Sequence, residues 1–318
     1  MCNSERYNNK KFFLLCLMTG LLSFGFNQAN SESIFCGDQG VWIQILGAGG
    51  SSLDDGQASA SYLVWNNGSA KLLIDPSSGS TVRFDESGAD FSTIEVIAIS
   101  QLTPHHSSGL PSFLEGALTM ERKGTLTILG PEGNNEYPDT KTFLQRMIGK
   151  NGAYPYLSAR DMSSGMRTLG FSIKTRNISS KGRKEASSYA NQEFSLSAIP
   201  VHHGNIPALA WRVEIGGQKI IFAGDLNNQK NVLPDFAENS DALIITHAIP
   251  DTARGRIRDY HLTPTQIGRI ASMAGTRMVI LGHRTNRTRG YETQTTKAIE
   301  DSFKGPLIFA NDMECWGL

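Results

Sequence analysis

Short apolar stretches recur along this chain, and five of them run into a histidine or an aspartate. Val96–Ser100 leads to His105 and His106, and Phe194–Val201 to His202 and His203. Lys219–Ala223 leads to Gly224-Asp225, Ala242–Thr246 to His247, and Met278–Leu281 to Gly282-His283. Stretches of this length, rich in Ile, Val and Leu, read as buried strands. Rigid strands hold polar groups at their ends, and the loops beyond leave room for a ligand. This pattern constrains the chain to a layered fold of strands and helices, with its chemistry gathered at strand ends.

The rest of the chain fits that plan. Val41–Leu46, Ser61–Trp65, Lys71–Asp75, Thr125–Leu129, Ala208–Glu214 and Leu307–Ala310 read as further strands. Helical spacing marks Thr81–Glu86, Leu110–Met120, Thr140–Ile148, Pro264–Ala274 and Thr293–Ser302. Gln101–Gly109 reads as a polar loop. Residues 158–192 are rich in Ser, Lys, Arg and Gly and read as an exposed excursion or hairpin. The glycines Gly47 and Gly49 do not form a dinucleotide loop: Ser52 stands where a third glycine belongs, and a strand follows rather than a helix. No Gly-x-Ser-x-Gly elbow supports a serine nucleophile.

Lys10 and Lys11 precede an apolar run, Phe12–Phe26, and Ala29-Asn30-Ser31 offers a small-x-small cleavage site. Residues 1–31 therefore read as a signal peptide, residues 32–318 as the folded domain, and the protein as exported, periplasmic or secreted, with no stable membrane anchor after cleavage. Cys2 and Cys16 leave with the signal. Cys36 and Cys315 remain, and in an oxidising compartment they are expected to form one disulfide joining the chain ends. Lys+Arg and Asp+Glu are equal at 30 each, which gives no electrostatic case for a nucleic-acid partner.

Imidazoles with a carboxylate suit zinc, iron or manganese. The order of Gly47-Ala48-Gly49-Gly50, Leu72–Asp75, the loop 100–110, His203, Ala223-Gly224-Asp225 and Leu281-Gly282-His283 resembles the metallo-β-lactamase superfamily. The string His261-Leu262-Thr263-Pro264 and the ending Leu281-Gly282-His283-Arg284 are similar to its ribonuclease Z and arylsulfatase-like branch. The resemblance implies an α+β fold, a four-layer αββα sandwich of metallo-β-lactamase type, covering residues 41 to 311.

The family's His-x-His-x-Asp-His motif is degenerate here. Gln101 and Thr103 stand for the two leading histidines, His105 for the aspartate, and His106 is kept. The resemblance then implies one good metal set, His105, His106, Asp225 and His283. A second set is weakened to His203 and the shared Asp225, with Gln101 and Thr103 as weak ligands or substrate contacts. One zinc ion is expected rather than two, with iron or manganese as alternatives. Asp225 and His261 are the expected catalytic residues, His261 as proton donor or oxyanion stabiliser. His203 is expected to face inward and His202 outward, and His247 to support a ligand or loop by hydrogen bonds. The implied activity is hydrolysis of a small-molecule ester or phosphodiester by a metal-activated water. The alternative is a metal-poor pseudoenzyme that binds a ligand in the former active-site cleft.

Overall fold

The computed structural model describes residues 36–120, 122–158 and 170–318. The expected signal peptide lies outside these residues, as does the 159–169 portion of the excursion. Everything from Cys36 onward belongs to one unit, Ser33–Leu318. Among the described residues no helix is long and apolar enough to cross a membrane.

In chain order the strands are β1 (Val41–Gly47), β2 (Ser61–Asn66), β3 (Ser69–Ile74), β4 (Val96–Ala98), β5 (Thr125–Pro131), β6 (Ser172–Ile178) and β7 (Ala186–Ala190), followed by β8 (Phe194–His203), β9 (Ile206–Ile215), β10 (Gln218–Phe222), β11 (Ala242–Thr246), β12 (Met278–Gly282), β13 (Leu307–Phe309) and β14 (Cys315–Gly317). They form two seven-stranded sheets, β14-β1-β2-β3-β4-β5-β6 and β13-β12-β11-β10-β9-β8-β7. The helices are α1 (Ser80–Glu86), α2 (Pro104–Ser107), α3 (Leu110–Thr119), α4 (Thr140–Ile148), α5 (Leu233–Phe236), α6 (Pro264–Ala274) and α7 (Glu292–Glu300).

Why the apolar runs are continuous rather than alternating follows from the layering. In β3, Leu72 and Ile74 join the core between the sheets, whereas Leu73 joins the core beneath α1, α3 and α4. In β12, Ile280 faces the other sheet, and Val279 and Leu281 face α5, α6 and α7. Both faces of these strands are buried, so successive residues are all apolar. Each such side chain contributes about 1.5–3 kcal/mol by leaving water. The result is the expected four-layer αββα sandwich. Helix α6 starts at a capping box between Thr263 and Gln266 with Pro264 in its first turn, and stops at Gly275, whose φ is 62°.

Two expectations need correction. The loop after β4 contains a helical turn, α2, because Pro104 pre-sets φ and the Thr103 carbonyl accepts from His106 N and Ser107 Oγ. A single turn carries too few residues to show periodicity. The 158–192 segment is also no hairpin. Its strands β6 and β7 belong to different sheets: β6 pairs with β5 in parallel and β7 with β8 antiparallel. Both are edge strands, whose exposed residues explain the polar texture.

Cys36 and Cys315 form a disulfide with Cα atoms 5.6 Å apart. β14 pairs antiparallel with β1, which brings the last residues beside the first strand.

Candidate metal centre

Asp225 follows β10 and Gly224, whose φ is 62° and whose hypothetical Cβ would lie 2.9 Å from the Leu209 carbonyl. Only glycine turns the chain there, and the turn aims the aspartate inward. Its side chain is 1 % exposed and is the hub of the site. Asp225 Oδ2 lies 3.4 Å from His105 Nε2, 3.4 Å from His106 Nε2 and 3.7 Å from His203 Nε2. Asp225 Oδ1 lies 3.4 Å from His283 Nε2 and accepts from Thr246 Oγ1 at 3.0 Å.

The four imidazoles come from three strand ends. His105 and His106 ride on α2 after β4, His203 ends β8, and His283 follows β12 in a left-handed conformation with φ 49°. Neighbouring groups fix their rings. His106 Nδ1 is 2.9 Å from Asp75 Oδ2, and Ser100 N donates to Asp75 Oδ1 at 2.6 Å. His203 Nδ1 is 2.9 Å from the Tyr260 carbonyl. Such partners select the tautomer that points Nε2 at Asp225. His202 turns away to Asn227 Oδ1 at 3.2 Å.

His261 stands beside His203, with ring centroids 5.3 Å apart, and 6.0 Å from the His283 ring. Among the described residues, two donor groups are compatible with a cation: His105, His106, Asp225 and His283, and a smaller one of His203, Asp225 and His261, with the ligand atoms of each within 4.8 Å of one another. His247 is elsewhere. It is fully buried, its Nε2 is 3.1 Å from Thr295 Oγ1 on α7, and its ring packs near Phe309. It holds a helix to the sheet rather than a ligand to a metal.

Gln101 and Thr103 bond to each other. Gln101 Nε2 donates to Thr103 Oγ1 at 3.0 Å and to Asp225 Oδ2 at 3.1 Å, and it lies 3.4 Å from His105 Nε2. The amide thus turns N–H groups, not a lone pair, toward the shared carboxylate.

Burial alone would raise the Asp225 carboxyl, but His283, His105 and His106 hold it well below the usual carboxylate range. Burial alone would lower His106; Asp75 and Asp225 outweigh it and raise the imidazole to about 10. Burial pushes His283 down to about 3, against the pull of Asp225. Burial likewise lowers His203 and His261. His106 Nε2 and both His283 ring nitrogens are buried without a hydrogen-bond partner. Leaving such groups unmade costs about 1–3 kcal/mol each. A divalent cation would displace the proton from His106 and take the one lone pair of the neutral His283, so the donors fit a metal.

Asp75, Thr246 and Tyr260 are parts of the site that residue-type reasoning did not assign. The signal for Asp75 was present in sequence, a carboxylate at a strand end before Pro76; the structure adds a left-handed φ of 55°. Thr246 and the Tyr260 carbonyl leave no such signal.

A family model described as beta-lactamase superfamily domain matches residues 70–284. The chain belongs to the metallo-β-lactamase superfamily. Among curated relatives, ribonuclease Z of Clostridium tetani is 25% identical over 280 residues, covering 76% of this chain and 87% of the relative. Among solved structures, the metallo-β-lactamase fold protein YhfI of Bacillus subtilis aligns at TM-score 0.66 with 18% identity, covering 87% of this chain and 98% of that one. The short form of human tRNase Z aligns at TM-score 0.64 with 17% identity and the same coverage. Within the superfamily the curated relatives that the chain resembles are ribonuclease Z proteins.

These relatives overturn the expectation that nucleic acid is excluded as a partner. Whole-chain neutrality averages over the surface and hides local charge. Arg254, Arg256 and Arg258 are exposed on the turn before His261, and Arg287 is exposed four residues after His283.

Proposed function

We propose that this protein is a metal-dependent hydrolase whose substrate carries a phosphodiester. The observation that carries the reading is the convergence of His105, His106, Asp225 and His283, with His106 Nε2 and the His283 ring nitrogens buried and unpartnered, in a chain of this family. Ribonuclease Z among the relatives and the exposed arginines beside His261 and His283 favour a phosphodiester over a neutral ester. Zinc suits three imidazoles and one carboxylate, with iron or manganese as alternatives. When bound, such an ion supplies Lewis acidity and an activated water.

The chain's own residues set up that chemistry. Thr246 orients Asp225, Asp75 orients His106, and the Tyr260 carbonyl orients His203. His261, kept neutral by burial, serves as a hydrogen-bond donor to the developing oxyanion rather than as a proton source. One tightly held ion is favoured, because Gln101 turns its amide N–H toward Thr103 and Asp225, and the neutral oxygens of these two residues are weaker ligands than imidazole. Action outside the cytoplasm is supported by the signal-like sequence of residues 1–31 and by the Cys36–Cys315 disulfide.

The test is hydrolysis of bis(para-nitrophenyl) phosphate by zinc-loaded protein. Activity that chelation abolishes and zinc restores supports the reading, with Asp225→Ala losing both metal and turnover. An Asp225→Ala variant that retains metal and turnover refutes it.

A further inference from the structure

A cleft of about 720 Å³ opens beside the metal centre, with His105 at its inner end. One wall is the loop from Ser51 to Ser59, and the opposite wall carries Val82 and Arg83 of α1. Two aliphatic side chains flank it in unusual exposure: Leu53 at 103% and Val82 at 61%. Its one cation is already engaged, whereas Asp55 Oδ2 is buried without a hydrogen-bond partner. Arg83 pairs with Glu86 at 2.8 Å and with Asp312 at 3.2 Å. Asp55 is buried under the loop, where its Oδ1 accepts from Gln57 N at 3.1 Å. A cleft with exposed aliphatics, no free cation and a buried carboxylate suits an uncharged group with an apolar face and disfavours a second anion.

The loop wall is tied down from far along the chain. Asp312 Oδ1 accepts from Ala48 N at 3.0 Å, and Asp312 Oδ2 accepts from Ala58 N at 2.8 Å. The same carboxylate holds Arg83 on the opposite wall. Between the two pinned amides, Gly50 passes so close to His283 that a Cβ there would lie 2.8 Å from the ring. Arg284 N donates to the Ala48 carbonyl at 2.8 Å, and Arg289 reaches Gln57 Oε1 at 2.6 Å. Asp312 therefore ties both walls together, alongside the bond from Ser77 Oγ to the Ser59 carbonyl at 2.6 Å. Three residues later, Cys315 is bonded to Cys36.

We propose that this cleft receives the organic group esterified to the scissile phosphate, that this group is uncharged with an apolar face, and that Asp312 is the positioning residue that holds the cleft in shape. The proposal rests on the hydrolase reading for the reacting phosphate, but the cleft's preference can be measured without turnover.

The experiment is calorimetric binding of diphenyl phosphate and dimethyl phosphate to the full protein, zinc-loaded and after chelation. Diphenyl phosphate should bind at least about tenfold tighter than dimethyl phosphate. Leu53→Asp with Val82→Asp should reduce that ratio to about threefold or less, with zinc content unchanged. Asp312→Ala should cut diphenyl phosphate affinity about tenfold and raise hydrogen exchange at the amides of Ala48 and Ala58. Asp312→Asn, which keeps one acceptor oxygen, should recover part of both. A preference for diphenyl phosphate that persists in chelated protein and falls in the Leu53/Val82 variant supports the cleft even if hydrolysis is never seen. Equal binding of the two probes, or a preference unmoved by Leu53→Asp with Val82→Asp, overturns the cleft assignment and leaves the hydrolase reading standing. Unchanged exchange and affinity in Asp312→Ala overturns the role of Asp312.

Discussion

His247 gives this protein a pH-dependent stability that can be worked out from its position. The residue has no exposed surface, and burial, reinforced by Arg284 and opposed by Glu292 and Asp251, pushes its imidazole down to about 4. In the unfolded chain the same ring titrates near 6.5. As pH falls, the unfolded chain takes up this proton first. Stability is therefore complete above about pH 6.5 and falls as pH drops toward about 4, by about 3 kcal/mol in all. Between pH 8 and pH 5 the loss is about 2 kcal/mol. Other histidines titrate in the same range, so the comparison must be a difference. His247→Gln keeps a hydrogen-bonding group for Thr295 and does not titrate. Urea unfolding of both proteins, chelated to remove metal effects, should show the wild type losing about 2 kcal/mol more than the variant between pH 8 and pH 5. Profiles that stay parallel within about 0.5 kcal/mol would refute the assignment of a neutral buried imidazole.

Two further outcomes follow from packing and connectivity. Gly282→Ala places a methyl 2.2 Å from the Tyr62 hydroxyl and should cost about 1–3 kcal/mol; adding Tyr62→Phe removes the clashing atom, so thermal melts of the double variant should recover most of the loss. Replacing Cys36 and Cys315 by alanine releases a constraint across 279 residues and should lower unfolding stability by about 5 kcal/mol in the chain-entropy account; a loss below about 1 kcal/mol in denaturant titration would contradict it.

The fold was legible where burial on both faces forces continuous apolar runs. Ala242–Thr246 and Pro264–Ala274 match β11 and α6 end to end, because one is wholly buried and the other carries its own caps. The edge strands β6 and β7 were not legible, since their residues face water and share the composition of a loop. β14 was missed because its three residues show no periodicity and its place depends on pairing with β1. In the site, His105, His106, Asp225 and His283 stood out as ligand-type residues after apolar strands, and the family resemblance implied their grouping; the structure brings them together. What orients them was not readable. Thr246 is an ordinary strand residue in sequence, and the contact of Tyr260 with His203 is made by a backbone carbonyl, which any residue supplies. The position of His247 after a strand suggested a role near the metal; its ring instead points to α7, because a strand-end residue can face either layer. Charge was the least legible property, because a zero sum says nothing about arginines gathered on two loops.

The proposed chemistry needs a single divalent ion held by His105, His106, Asp225 and His283, and metal content decides whether it is there. Protein loaded with excess zinc, desalted and measured by elemental mass spectrometry should retain one equivalent, lost in His283→Ala and raised toward two by Gln101→His with Thr103→His. Two tightly held equivalents in the unmodified protein, or none, would contradict it.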